Sequence, residues 1–161
     1  MINIITEQLP HGILLNTNDT KFNSMVIGWG HAGTIWNLPT FVVYVRQSRY
    51  TKAALDATGS FTISSPLQGD KLSPDILHVC GSQSGRDVDK GKLFTLVPGR
   101  KIAVPEIKEY PVTLECRVLY RQDQVLESIP ATLRQRFYGM GTDDFHTAYI
   151  GEIVDAYVVE E

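Results

Sequence analysis

The sequence predicts a mainly β domain: a barrel of short antiparallel strands with short helices inserted between them. Three observations predict it. Runs enriched in β-branched and aromatic residues recur along the chain, Gly and Pro are scattered rather than clustered, and no helical stretch is long enough to stand as a domain. The 161 residues correspond to a single domain, 1–161, and no composition shift, internal repeat or low-complexity tract marks a linker.

The strand runs are, in order, Met25–Trp29, Phe41–Val45, Ser60–Ser65, Val112–Tyr120 and Tyr149–Val159, most of them bounded by Gly, Pro, Asn or Asp. In the fourth, Val112, Leu114, Cys116 and Val118 alternate with Thr113, Glu115 and Arg117. That predicts one buried and one wet face, with Cys116 inside. Three short helices are predicted. Lys52–Thr58 is Ala-rich, with Thr51 as cap and Gly59 as stop; Pro74–Val79 has Ser73 as cap and Gly81 as stop. Ile129–Phe137 follows Ser128 and places Leu133, Arg134 and Phe137 at helical spacing.

Composition excludes several classes of function. With 43% hydrophobic and 20% charged residues the chain builds a core and is not disordered. Fifteen bases against eighteen acids give a net charge of −3, so no surface is built for nucleic-acid phosphates and any positive site is local. No apolar window of about 18 residues and no signal-peptide pattern occurs, so a cytoplasmic protein without a membrane partner is expected. Cys80 and Cys116 form neither a disulfide framework nor a CxxC motif. Of His11, His31, His78 and His146, only His78 has a Cys nearby, so no metal site is predicted.

Two literal motifs carry no chemistry. Gly28–Gly33 matches GxGxxG, but Thr34-Ile35-Trp36-Asn37-Leu38-Pro39 follows where a dinucleotide fingerprint needs a helix, and the acid expected further on is absent. The residues read as a strand entering a turn, with glycines for positive φ or close backbone approach. Gly81–Gly85 is offset from the GxSxG elbow and lacks a strand ahead of it.

Charge patterning is more informative. Residues 20–55 contain no acid but carry Lys21, Arg46, Arg49 and Lys52. Arg46 and Arg49 flank Ser48 at a strand end, and Thr51 opens a helix whose start carries roughly +0.5 of a charge. This suits a phosphate monoester of about −1.5 to −2; a solvated basic rim is the plain alternative. A second cluster, Cys80 to Lys90, offers Ser84, Gly85 and the Arg86 cation in a compact loop. Cys80 beside it is either a redox thiol or a buried inert one.

The ordered set Asn23-Ser24-Met25-Val26-Ile27-Gly28-Trp29, Pro39, Val42–Val45, Arg46-Gln47-Ser48-Arg49-Tyr50-Thr51, Phe61–Ser64, Cys80-Gly81, Ser84-Gly85-Arg86-Asp87-Val88-Asp89-Lys90 and Gly151-Glu152-Ile153 resembles the flavin reductase-like proteins of the FMN-binding split-barrel superfamily, especially the flavoredoxin-like branch. The resemblance covers roughly residues 10–158. Ser24 with Met25 stands where many relatives have Met followed by Thr or Ala.

The resemblance implies a homodimeric split β-barrel with short inserted helices that binds FMN noncovalently near the subunit interface. It implies that Asn23, Ser24, Met25, Val26, Gly28 and Trp29 line the flavin. Arg46, Ser48, Arg49 and Thr51 would hold its phosphate, and Ser84, Gly85, Arg86 and Lys90 would approach it. His146, the one catalytic candidate, borders the nicotinamide or acceptor side. The function implied is an FMN flavoprotein that takes electrons from NADH or NADPH. A noncatalytic FMN electron carrier reduced by a partner protein is the alternative, and a nonredox barrel for another phosphorylated ligand a third.

Overall fold

In the computed structural model, which describes residues 1–139 and 143–160, every β ladder is antiparallel. The chain opens with α1 (Ile2–Gln8), β1 (Ile13–Asn18), β2 (Phe22–Ile27), β3 (Gly30–Ile35) and β4 (Leu38–Arg46). It continues through α2 (Tyr50–Thr58), β5 (Ser60–Ser65), α3 (Pro74–Ser82), β6 (Leu96–Val97) and β7 (Glu106–Ile107). It closes with β8 (Val112–Asp123), α4 (Ala131–Tyr138) and β9 (His146–Val158). Seven strands form one sheet in the order β2-β1-β5-β8-β9-β4-β3, and β6 pairs with β7 apart from it. Strands β2 and β3 are neighbours in sequence but lie at opposite ends of that order, and no ladder joins them among the described residues. The mainly β split barrel is the fold expected.

Alternation along the strands builds the interior. Leu15, Phe41, Phe61, Leu114, Cys116 and Tyr149 meet in one cluster, plugged by Ile5 from α1. Leu14 points the other way, into a second cluster with Phe22, Leu72, Cys80, Ile107 and Tyr110. Strand β1 is thus covered on both faces, which is why its sequence shows no alternation.

The wet face expected of β8 is dry at Thr113 and Glu115, both 0% exposed, because the segment around residues 98–111 folds over it. Beneath that segment Asn16 donates to Thr62 Oγ1 (3.1 Å) and Ser64 Oγ (2.9 Å), and Thr62 Oγ1 donates to the Pro105 carbonyl (3.1 Å). The Glu115 carboxylate accepts three consecutive amides, from Arg100 (2.5 Å), Lys101 (2.7 Å) and Ile102 (2.9 Å), and the Tyr157 hydroxyl as well. Arg100 closes the cluster 3.6 Å over the Tyr157 ring. A carboxylate in a nest of backbone N–H groups needs no cationic partner.

The helices differ in detail from expectation. In α2, Arg49 holds the cap position without a side-chain cap bond and Thr51 lies inside the helix; Gly59 ends it in the left-handed region, as expected. In α3, Ser73 caps the Ile76 amide, but the helix runs through Gly81 to Ser82. Helix α4 begins only after Pro130. In the Gly28–Gly33 stretch no glycine has positive φ, but the close backbone approach expected holds at Gly30, where a Cβ would stand 2.8 Å from the Val42 carbonyl. The β3–β4 hairpin instead turns on Trp36 and Asn37, with φ of 54° and 60°, the pattern of a type I′ turn.

Candidate functional site

Strand β2 is an edge strand, so alternate backbone groups on its outer side have no neighbouring strand. The Ser24 carbonyl is one of these, and it accepts the Lys90 ammonium at 2.8 Å. By the alternation of an antiparallel ladder, the N–H and C=O of Val26 face the same way as those of Ser24.

Two clefts lie along this edge. The first, about 190 Å³, is walled by Met25–Trp29, Tyr44, Arg46, Arg49 and His146. The second, about 130 Å³, lies between the start of α2 and the loop after α3; Asn23, Ser48, Thr51, Cys80, Ser84, Gly85, Arg86 and Lys90 are among its walls. Met25 and Arg49 belong to both, so the clefts adjoin. Of the binding residues expected from sequence, only Ser24 lines neither; its side chain is fully buried and its contribution is the carbonyl that holds Lys90.

The second cleft is cationic. Among the described residues Arg49, Arg86 and Lys90 line it and no acid does. Lys90 is 3% exposed, and burial lowers its ammonium pKa below the ordinary value. Arg86 stands 5.3 Å over the Tyr50 ring, and Lys21 donates to the Gly85 carbonyl at 2.6 Å. Gly85 is required here: a Cβ would strike the Asn23 side-chain oxygen and come within 2.5 Å of the Tyr50 ring. Asn23 donates to Thr51 Oγ1 at 2.9 Å, while its Oδ1 is buried without a partner among the described residues.

The turn from Arg46 to Thr51 divides its labour differently from the sequence expectation. Arg46 donates to the carbonyls of Asp144 (2.9 Å) and Phe137 (2.7 Å) and lies 5.0 Å over the Tyr138 ring. Ser48 gives its amide (2.8 Å) and hydroxyl (2.7 Å) to the Asp144 carboxylate. Those bonds with Ser48 outweigh the cost of burial and hold the Asp144 carboxyl below its ordinary pKa. Thr51 is occupied by Asn23. Arg49 alone of the four turns a side chain toward both clefts with no hydrogen bond or ion pair among the described residues.

His146 opens β9 and is 7% exposed. Its Nδ1 pairs with the Tyr138 hydroxyl at 2.7 Å, and its ring lies 5.1 Å from Trp29. Burial, reinforced by the Arg46 charge, lowers its pKa to about 4, so the imidazole is neutral near pH 7. Trp29 in turn meets the Phe137 ring edge-on at 5.2 Å. Sequence reasoning missed Tyr44, Phe137, Tyr138 and Asp144. Tyr44 was visible as the polar-tipped residue between Val43 and Val45; the others come from the far side of the sequence.

Cys80 is 2% exposed in the second core cluster, and burial raises its thiol pKa. The cation beside it is Lys90, not Arg86. Cys116 lies in the main cluster, and burial raises its thiol far above the ordinary value. The inert alternative is the one this environment favours.

Over residues 6–161 the chain matches the family model described as Flavin reductase like domain. It is 31% identical over 114 residues to an uncharacterized protein of Archaeoglobus fulgidus, a match covering 70% of this chain and about half, 52%, of that protein's length. Its fold superposes on a flavoredoxin from Methanosarcina acetivorans with a TM-score of 0.68 at 29% identity, covering 92% of this chain and 68% of the other. For the flavoredoxin of Desulfovibrio vulgaris (Miyazaki F) the values are 0.65 and 26%, covering 92% and 69%.

Proposed function

Since the chain belongs to the flavin reductase-like family, we propose that it binds FMN across the two adjoining clefts and takes electrons from NADH or NADPH for delivery to an acceptor. The observation that carries this reading is the pairing of a cleft walled by an unpaired strand edge and aromatic rings with a cationic cleft one residue away. A planar ring system bearing polar edge atoms suits the first, and a phosphate suits the second. The residues fit the cofactor: the orphaned Asn23 oxygen is an acceptor that a ribityl hydroxyl would satisfy, and the three cations of the second cleft suit a phosphate.

In this arrangement Arg49, Arg86 and Lys90 neutralise the phosphate, with Ser84 beside them. Val26 presents its outward N–H and C=O to the ring edge, and Met25 and Trp29 supply apolar contact. Bound FMN supplies hydride and single-electron transfer. His146 and Tyr44 border the open side, where a neutral imidazole keeps charge away from the donor's ring. Arg46 fixes α4, and through Tyr138 it fixes His146. Hydride transfer demands no general acid or base, so none is assigned.

The protein is proposed to act as a homodimer, in keeping with the open first cleft and with Trp29, Trp36 and Tyr120, which are 44%, 60% and 46% exposed. The test is direct. Protein incubated with FMN and desalted is expected to be yellow, to bleach anaerobically with NADH or NADPH, and to sediment as a dimer of 18.0 kDa chains. A colourless preparation overturns the reading, and colour without bleaching favours the passive carrier.

A further expectation concerns Cys80. Cys80→Ser should keep most of the flavin reduction and bind FMN within about tenfold of the parent, a difference of about 1.4 kcal/mol. Stopped-flow bleaching measures it. Loss of reduction with FMN still bound would give the thiol a chemical part.

A further inference from the structure

We infer that the Asp144 carboxylate is an internal competitor for phosphate: it occupies the donors of Ser48 at the cationic cleft and thereby sets how tightly that cleft holds a phosphorylated ligand. The inference rests on the reading of this cleft as a phosphate site. Ser48 is one of its walls, next to Arg49 and two residues ahead of the first residue of α2. A backbone amide and a hydroxyl at such a place are donors of the kind that hold phosphate oxygens. Both are engaged. The amide donates to Asp144 Oδ1 at 2.8 Å and the hydroxyl to Oδ2 at 2.7 Å, so a single carboxylate takes the pair.

Anchoring the segment ahead of β9 does not require this pairing. Arg46 donates to the Asp144 carbonyl at 2.9 Å, the Gln47 amide to the Phe145 carbonyl at 3.1 Å, and the Gln47 side chain to Thr147 Oγ1 at 2.7 Å. The backbone therefore stays in place when the carboxylate leaves. Both of its bonds to Ser48 lie at exposed surface, where water replaces each partner as it parts.

A phosphate is the stronger ligand for the same donors. It carries about −1.5 to −2 of charge, and Arg49, Arg86 and Lys90 line the cleft that it enters, whereas Asp144 is not among the walls and meets the cleft through Ser48. Displacing Asp144 costs two hydrogen bonds, and every phosphorylated ligand is held more weakly by that amount. A ligand without a phosphate is spared the exchange.

The test is a fluorescence titration of the full chain with FMN and with riboflavin, in buffer free of phosphate and sulfate. Asp144→Ala is expected to tighten FMN about three- to tenfold, the scale of one net hydrogen bond, and to leave riboflavin within about twofold. Asp144→Asn keeps the shape of the side chain and should give a smaller gain of the same sign. In a Ser48→Ala background the gain from Asp144→Ala should shrink, because one of the contested donors is gone. Unchanged or weaker FMN binding in both Asp144 variants overturns the assignment, as does an equal gain for FMN and riboflavin. An undiminished gain in the Ser48→Ala background also overturns it, since Asp144 would then act by charge alone. If the parent takes neither flavin, the FMN reading falls, and calorimetry with inorganic phosphate decides this one: tighter binding in Asp144→Ala sustains the competition, and equal or absent binding ends it.

Discussion

Glu115→Ala is expected to lower the unfolding free energy by about 3–5 kcal/mol, near the upper end for one substitution. The carboxylate accepts three consecutive backbone amides and a buried hydroxyl; the three amides lose their acceptor together, while Tyr157 keeps the Glu106 carboxyl beside it. Glu115→Gln keeps the shape but loses the charge and one acceptor oxygen, so it should fall between the parent and the Ala variant. Chemical denaturation midpoints measure both, and a loss under about 1 kcal/mol for the Ala variant would show that the loop over β8 is held by other means.

The same cluster sets a pH dependence. The bond from Tyr157 and those from residues 100–102 outweigh burial and hold the Glu115 carboxyl below its ordinary 4.5. Its stabilisation is therefore complete above that value and is lost as pH falls through the lowered folded-state value. Glu106 runs the opposite way. Burial, with Glu115 and Asp155 adding to it, raises its carboxyl above 4.5. It favours the folded state while protonated, and that contribution is lost as pH rises through the raised value. Glu115→Ala should make the acid-side loss of stability shallower, leaving the part due to Asp56, Glu109 and Asp144, and should keep the loss on the other side.

Arg49→Ala is expected to weaken FMN binding by about 1.5–3 kcal/mol, roughly 10- to 150-fold, the range for a charge-assisted hydrogen bond. Of the turn residues, Arg49 is the one whose guanidinium remains unengaged and borders both clefts. Riboflavin, which lacks the phosphate, should bind the parent more weakly than FMN, and the variant should narrow that gap. Flavin fluorescence titration measures all four affinities. Equal FMN affinity in parent and variant would place the phosphate elsewhere.

The strands richest in β-branched and aromatic residues were legible in the sequence; Ser60–Ser65 is a strand over those same residues. Strand β1 and helix α1 were not. Ile13–Asn18 is covered on both sides and so lacks a period, and Ile2–Gln8 has poor helix formers and no side-chain cap. It is helical because Ile5 packs into the core. At the site, residue identities around Asn23–Trp29 and Ser84–Lys90 pointed to the two clefts. The partners of Arg46 and Ser48 did not show, since Phe137 and Asp144 lie more than ninety positions away and only the tertiary fold brings them to the turn. The burial of Glu115 was hidden for a related reason: the covering segment is irregular and carries no pattern of its own.

Met25 and Arg49 are walls common to both clefts, so a ligand lying across the two meets them as one site. On the proposed reading a small anion in the cationic cleft stands where the FMN phosphate would, and the two compete. Phosphate or sulfate in a buffer should then lower the apparent affinity for FMN in proportion to its occupancy of that cleft, and leave that for riboflavin far less changed.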